Sequence, residues 1–172
     1  MKYLICALIF LVACGYSLGP SGAATAWAEL NNAQNVSAGA GIFVEAPGGL
    51  LLKLNVSNLP PGVHALHIHE VGKCEPPDFK SAGAHFNPEG KKHGLKNPEG
   101  SHLGDLPNIV VGENGSVQVE ILIKDKSFLN NPGGTALVIH EKADDEITDP
   151  AGNSGARIAC GVIIRNIMGR YS

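Results

Sequence analysis

The chain has 172 residues, of which 44 % are hydrophobic and 17 % charged, enough for one domain with a real core once a leader is set aside. Its formal net charge of −3 excludes the basic footprint of a nucleic-acid binder, and no nucleic-acid partner is expected. The same charge repels anions in general, so an anionic substrate needs a local positive group to draw it in.

Met1 and Lys2 open a leader whose apolar run, YLICALIFLVA, is too short to cross a membrane as a mature helix. The string Leu11 to Cys14, LVAC, resembles a bacterial lipobox, in which the cysteine is lipidated and becomes the first residue. On this reading residues 1–13 are a signal peptide, 14–26 a tether and 27–172 the domain. The product is exported to the periplasm or cell envelope and touches the membrane only through Cys14. Two A-x-A sites, Ala24-Thr25-Ala26 and Ala26-Trp27-Ala28, offer ordinary secretion instead, but a cut there falls at or inside the first expected strand. Cys6 leaves with the leader. Cys74 and Cys160 remain as an even pair in an exported domain, for which a disulfide is the default.

Beyond the leader no stretch of useful length has helical periodicity. Strands are expected near 27–33, 38–46, 50–57, 63–69, 108–112, 116–124, 135–141 and 157–165. The clearest alternation puts Leu50, Leu52, Leu54 and Val56 on one face with Lys53 and Asn55 on the other. Val117, Val119, Ile121 and Ile123 likewise oppose Gln118, Glu120 and Lys124. With 22 glycines and 11 prolines between such runs, the expected fold is all-β, an antiparallel sandwich or barrel. Two connections, 70–107 and 141–156, are too long for hairpins, and long loops in a compact domain usually carry function.

Residues 62–74 read GVHALHIHEVGKC. Positions i and i+2 of a strand share a face, so His67 and His69 aim at one point, while His64 has the parity of Leu66 and Ile68 and belongs with the core. The first long loop carries His85, His93, His102 and Asp105, a sufficient tetrahedral set for zinc that staples a loop of little apolar content. His140, ending the strand TALVIH, is the remaining candidate to join His67 and His69. Imidazole-rich sites suit copper or zinc. Two four-coordinate sites need eight ligand positions and seven residues are at hand, so one residue serving both metals closes the count. Spacing does not say which.

The motifs HALHIHE, GAHFNPEGKKHG, SHLGDLPN, VIHEKADD and GNSGARIACGVI, in this order, resemble the copper/zinc superoxide dismutases over about Trp27 to Arg165. The resemblance implies an eight-stranded Greek-key barrel or sandwich, immunoglobulin-like in architecture, with two long functional loops. It implies copper on His67, His69, His85 and His140, and zinc on His85, His93, His102 and Asp105, His85 being the bridging imidazolate and a proton carrier. Arg157 would orient the incoming superoxide beside copper. Asp144 would join His67 to His93 from behind, and the Cys74–Cys160 disulfide would pin the first long loop to the last strand. The implied activity is dismutation of superoxide to oxygen and hydrogen peroxide, in antioxidant defence outside the cytoplasm.

In the second loop this chain departs from the eukaryotic pattern. The segment is shorter, and Pro150 and Ala151 stand where a lysine and a threonine line the eukaryotic channel. Lys142 and Arg157 face Glu141, Asp144, Asp145, Glu146 and Asp149. Eukaryotic subunit contacts do not carry over, and monomer and homodimer both stay open. The alternative function is a copper-binding or copper-delivery domain without turnover. A purely structural zinc domain leaves His67, His69 and His140 unexplained.

Overall fold

The computed structural model describes residues 24–166. The signal peptide, Cys14 and most of the tether lie outside these residues. Ten strands form: β1 (Ala24–Asn32), β2 (Ser37–Ala46), β3 (Gly49–Val56), β4 (Gly62–His64), β5 (Leu66–His69), β6 (Ile109–Val111), β7 (Val117–Ile123), β8 (Ala136–His140), β9 (Arg157–Val162) and β10 (Ile164–Arg165). Two short 3-10 turns, Lys80–Ala82 and Ser127–Asn130, are the only helical elements among the described residues. The strands run antiparallel in the order β5-β8-β9-β1-β2-β3-β7, with β10 also on β1 and a small β4-β6 pair beside them.

Eight expected strands become ten because two of them change partner partway. In the stretch 63–69, His64 pairs with Ile109 of β6, whereas Leu66 pairs with Ile139 of β8. Ala65, at the break, donates its amide to Lys142 and accepts from His140. In the stretch 157–165, β9 pairs with β8 while Ile164 pairs with Trp27 of β1, and Ile163 between them donates to Thr135. Such switches are the corners at which a strand leaves one pairing for another. β1 also starts three residues earlier than expected, at Ala24 opposite Val44.

The alternation decides what faces inward. Leu50, Leu52, Leu54 and Val56 are buried with Phe43, Ile121, Ile123, Leu66, Ile68, Leu137 and Ile139. Each buried large aliphatic contributes about 1.5–3 kcal/mol of transfer free energy, so this face fixes the register of β2, β3, β5, β7 and β8. The opposite face of β5 and β8 carries Ala65, His67, His69, Ala136, Val138 and His140. The first long loop covers that face. A second cluster of Phe79, Ala82, Ala136, Val138 and Cys160 lies beneath the Cys74–Cys160 disulfide, which ties this loop to β9 across a sequence separation of 86.

Candidate metal centre

The first long loop reaches the site by running along the edge of β5 as an irregular strand. Ile68 donates to Gly104 and accepts from Phe86, both at 2.8 Å, and Glu70 donates to Ala84 at 2.9 Å. These bonds set His67 opposite Asp105 and His69 opposite His85. A Cβ on Gly104 would lie 2.2 Å from the Ile68 carbonyl oxygen, so only glycine lets the loop come this close.

Two four-residue sets result. His67, His69, His85 and His140 form one; His85, His93, His102 and Asp105 form the other; His85 belongs to both. None of the seven residues is more than 6 % exposed. In the first set Nε2 of His69 lies 3.3 Å from Nε2 of His140. In the second, Asp105 Oδ1 lies 3.0 Å from Nδ1 of both His85 and His93 and 3.4 Å from Nδ1 of His102, which is itself 3.4 Å from Nδ1 of His85. A tetrahedral metal with bonds near 2.0–2.1 Å sets its donor atoms about 3.3–3.4 Å apart. The three buried side-chain atoms with no hydrogen-bond partner among the described residues are His67 Nδ1, His85 Nε2 and His93 Nδ1. Each belongs to one of these sets and points at its companions. His93 Nδ1 is close to Asp105 yet not aligned to bond it, as befits two lone pairs aimed at one cation. Each donor set could therefore hold a metal ion, with His85 available to both.

Behind the ligands stand groups that fix the rings. Asp144 receives Nε2–H of His67 at 2.8 Å and Nε2–H of His93 at 2.9 Å, so one carboxylate joins the two sets. The Gly83 carbonyl accepts from Nδ1 of His69 at 3.0 Å and from the Arg157 guanidinium at 2.6 Å, and the Phe79 carbonyl takes the second Arg157 donor at 2.6 Å. Arg157 thus lies fixed at the rim of a cavity of about 510 Å³ whose lining includes His69, His85, His140, Asp149 and Ser154. His64 takes no part in either set. It is buried, with its ring nitrogens 2.9 Å from the His140 carbonyl and 2.8 Å from the Pro60 carbonyl, and it ties the start of β5 to the end of β8.

The electrostatics favour neutral imidazoles in the first set. Burial, reinforced by neighbouring histidines, lowers His67 to about 4, His140 to about 3 and His69 well below its usual value. Neutral rings are the ligating form. Burial also works against a charge on His93, but Asp105 and Asp144 outweigh it and raise His93 to about 9. Burial alone would raise Asp105 and Asp144; the His85 bond, the nearby His93 ring and the Gly94 amide at the first, and hydrogen bonds from His67 and His93 at the second, hold both well below the usual carboxylate range.

Three residues escape a reading of motifs. Asn108 bonds Asp144 in both directions, side-chain amide to carbonyl at 2.9 Å and backbone amide to side-chain oxygen at 2.8 Å. Asp149 accepts the His93 amide at 2.9 Å and pairs with Lys92, joining the two long loops. Ser154 lies beside His140. Each acts through a fold-dependent contact between separate segments, so a polar residue in a loop gave no sign of it.

A family profile described as copper/zinc superoxide dismutase (SODC) matches residues 38–163. A protein of Aquifex aeolicus named superoxide dismutase [Cu-Zn] 2 is 53 % identical over 146 residues, covering 80 % of this chain and 85 % of that protein. The crystal structure of a double mutant of a superoxide-dismutase-like protein from Bacillus subtilis superposes with a TM-score of 0.76 at 43 % identity, over 79 % of this chain and 95 % of that one. The Cu/Zn superoxide dismutase of Brucella abortus gives 0.68 at 32 % identity, over 79 % and 97 %.

Proposed function

Because this chain belongs to the copper/zinc superoxide dismutase family, we propose that it converts superoxide to oxygen and hydrogen peroxide, holding copper on His67, His69, His85 and His140 and zinc on His85, His93, His102 and Asp105. The observation that carries this reading is the pair of closed donor sets sharing His85, with buried donor atoms that no group among the described residues satisfies. When bound, copper supplies a one-electron cycle in which one superoxide gives up its electron and leaves as oxygen, and a second gains one and, with two protons, leaves as hydrogen peroxide, while redox-silent zinc holds the loop.

The chain's own residues supply the rest. Arg157 gives the local positive charge that the acidic domain otherwise lacks at this cavity, and its two carbonyl contacts hold the guanidinium ready before an anion arrives. His85 presents Nε2 to the first set and Nδ1 to the second, so it is the group placed to hold a proton at Nε2 beside the reacting oxygen. Asp144 sets the tautomers of His67 and His93 so that Nδ1 of each is left to ligate.

Export is part of the proposal. The disulfide supports it, since such bonds persist in oxidising compartments. A cut after Ala26 or Ala28 would sever β1, which favours processing at Cys14; the mass of the native protein separates the two starts.

The test is metal analysis and dismutase assay of the copper- and zinc-loaded protein. Equal copper and zinc with rapid turnover is expected. Zinc alone after copper loading overturns the enzyme reading, and stoichiometric copper without turnover points to copper delivery instead.

A further inference from the structure

Phe79 opens the turn Lys80–Ala82 with φ 53° and ψ 23°, in the left-handed region. Among the described residues five non-glycine positions have positive φ: Asn35, Asn58, Phe79, Glu146 and Asn153. Asparagine tolerates this backbone, whereas a bulky apolar side chain rarely adopts it. Of the five only Phe79 is buried, at 1 % exposure. A glycine would take the same conformation without strain, so the ring is what this position gains. Such outliers persist where their surroundings hold them, and they cluster at functional sites.

The surroundings of Phe79 are of that kind. Its ring packs with Ala82, Ala136, Val138 and Cys160. Ala136 and Val138 of β8 lie opposite His69 and His67, so the ring rests on the sheet face that bears the ligand histidines. The Phe79 amide donates to Glu75 at 3.1 Å, and its carbonyl accepts the Ala82 amide at 3.1 Å and the Arg157 guanidinium at 2.6 Å. The Gly83 carbonyl, at the other end of the same turn, takes the second guanidinium donor at 2.6 Å and Nδ1 of His69 at 3.0 Å. One turn thus supplies both carbonyls that hold Arg157. Phe79 is the only large buried side chain in 79–83.

We propose that Phe79 is a positioning residue for Arg157: its buried ring anchors the 79–83 turn to β8 and β9, so that two backbone carbonyls keep the guanidinium at the rim of the cavity. The proposal rests on Arg157 drawing and orienting the anion there.

The experiment titrates azide, an anionic probe, into the copper- and zinc-loaded protein and follows the Cu(II) spectrum. Phe79→Gly removes the ring yet suits the backbone. It is expected to bind azide about three- to tenfold more weakly, with copper and zinc content unchanged. Phe79→Leu keeps an apolar anchor and should lose less; a loss as large as that of Phe79→Gly overturns the proposal. In an Arg157→Ile background, Phe79→Gly should change azide affinity no further. Wild-type affinity in Phe79→Gly, or an undiminished loss in the Arg157→Ile background, overturns the proposal, because the effect is then nil or a general loosening of the loop. A measurement on the wild type needs no variant to fold. ¹⁵N NMR of the zinc-loaded, copper-free protein should resolve the Arg157 Nη protons and find them slow to exchange, and a freely rotating guanidinium overturns the proposal. Azide affinity unchanged by Arg157→Ile alone refutes the role of Arg157 instead, a result distinct from every outcome above.

Discussion

Gly152→Ala tests whether the link between the two ligand sets depends on the second loop. Gly152 has φ +60°, and a Cβ there would lie 1.8 Å from Asp144 Oδ1 and 2.8 Å from His93 Nε2. The backbone cannot easily retreat, since its amide donates to Thr148 at 2.7 Å and its carbonyl accepts from Asp145 at 3.0 Å. The Asp144 side chain must therefore swing away, losing its bonds to His67 and His93. Left-handed backbone costs an alanine about 1–2 kcal/mol, and two charge-assisted bonds are worth about 1.5–3 kcal/mol each. The sum is about 4–8 kcal/mol, and relaxation of the loop puts the expected loss near the lower end, about 4 kcal/mol. Urea unfolding of the zinc-loaded protein measures that loss, and chelator competition should show zinc affinity down about 10–100-fold. In an Asp144→Ala background the oxygen is gone, so Gly152→Ala should cost much less, the backbone term of about 1–2 kcal/mol plus a small shift of the His93 ring away from the new Cβ. The reasoning is refuted if the full cost persists in that background, or if zinc binds Gly152→Ala as tightly as it binds the wild type.

Arg157→Ile should slow dismutation tenfold or more at low ionic strength with copper content intact, the deficit shrinking as salt rises; equal rates at low salt remove its role. Cys160→Ser opens a loop with a sequence separation of 86, worth about 4–5 kcal/mol by loop entropy, and a change in unfolding free energy below about 1 kcal/mol would refute that account. In the metal-free protein, His67 at about 4 and His140 at about 3 bind protons less readily than in the unfolded chain, where they titrate near 6.5. Their stabilisation is complete above pH 6.5 and falls by about 1.4 kcal/mol per pH unit for each as pH drops toward 4. His93, raised to about 9, acts the other way, losing its contribution as pH climbs from 6.5 through 9. Urea midpoints across pH should peak near neutrality, and a flat profile from pH 7 to 4 refutes the assignment.

Much of the fold was legible because a half-buried strand writes its burial as a period of two. Leu50, Leu52, Leu54 and Val56 announce β3 and its inward face without any tertiary information. The breaks at Ala65 and Ile163 were not legible, since residues on both sides of each break keep strand-forming side chains and only the change of partner marks the corner. Parity correctly separated His64 from His67 and His69, even though the strand is interrupted between them. The candidate ligands stood out because His67 and His69 share a strand face and because three histidines and an aspartate fall in one loop, a sufficient donor set for zinc. Asn108, Asp149 and Ser154 did not, because their roles are set by which loop crosses which, and that crossing is decided by bonds such as Asn108 to Asp144 and Asp149 to the His93 amide.

The acidic residues of the second loop take on a different meaning once their partners are known. By sequence alone, Glu141, Asp144, Asp145, Glu146 and Asp149 look like a field that repels superoxide. Asp144 is buried between two imidazoles. Asp145 accepts the Ile147 and Thr148 amides and the Asn153 side chain. Glu146 pairs with Lys96 and Asp149 with Lys92, both lysines from the first long loop. Glu141 accepts the Ala156 amide beside Arg157. These carboxylates act chiefly as braces: they fold a short loop on itself and fasten it to the loop that bears His85, His93, His102 and Asp105. Two of them carry a neutralising lysine, so their opposition to an incoming anion is weaker than a count of charges suggests. Under the proposed function the attraction would then rest on Arg157, whose guanidinium is held at the rim of the cavity. Under the proposed function, that division, acids for loop geometry and one arginine for substrate, would let a domain of net negative charge keep a site that an anion can enter.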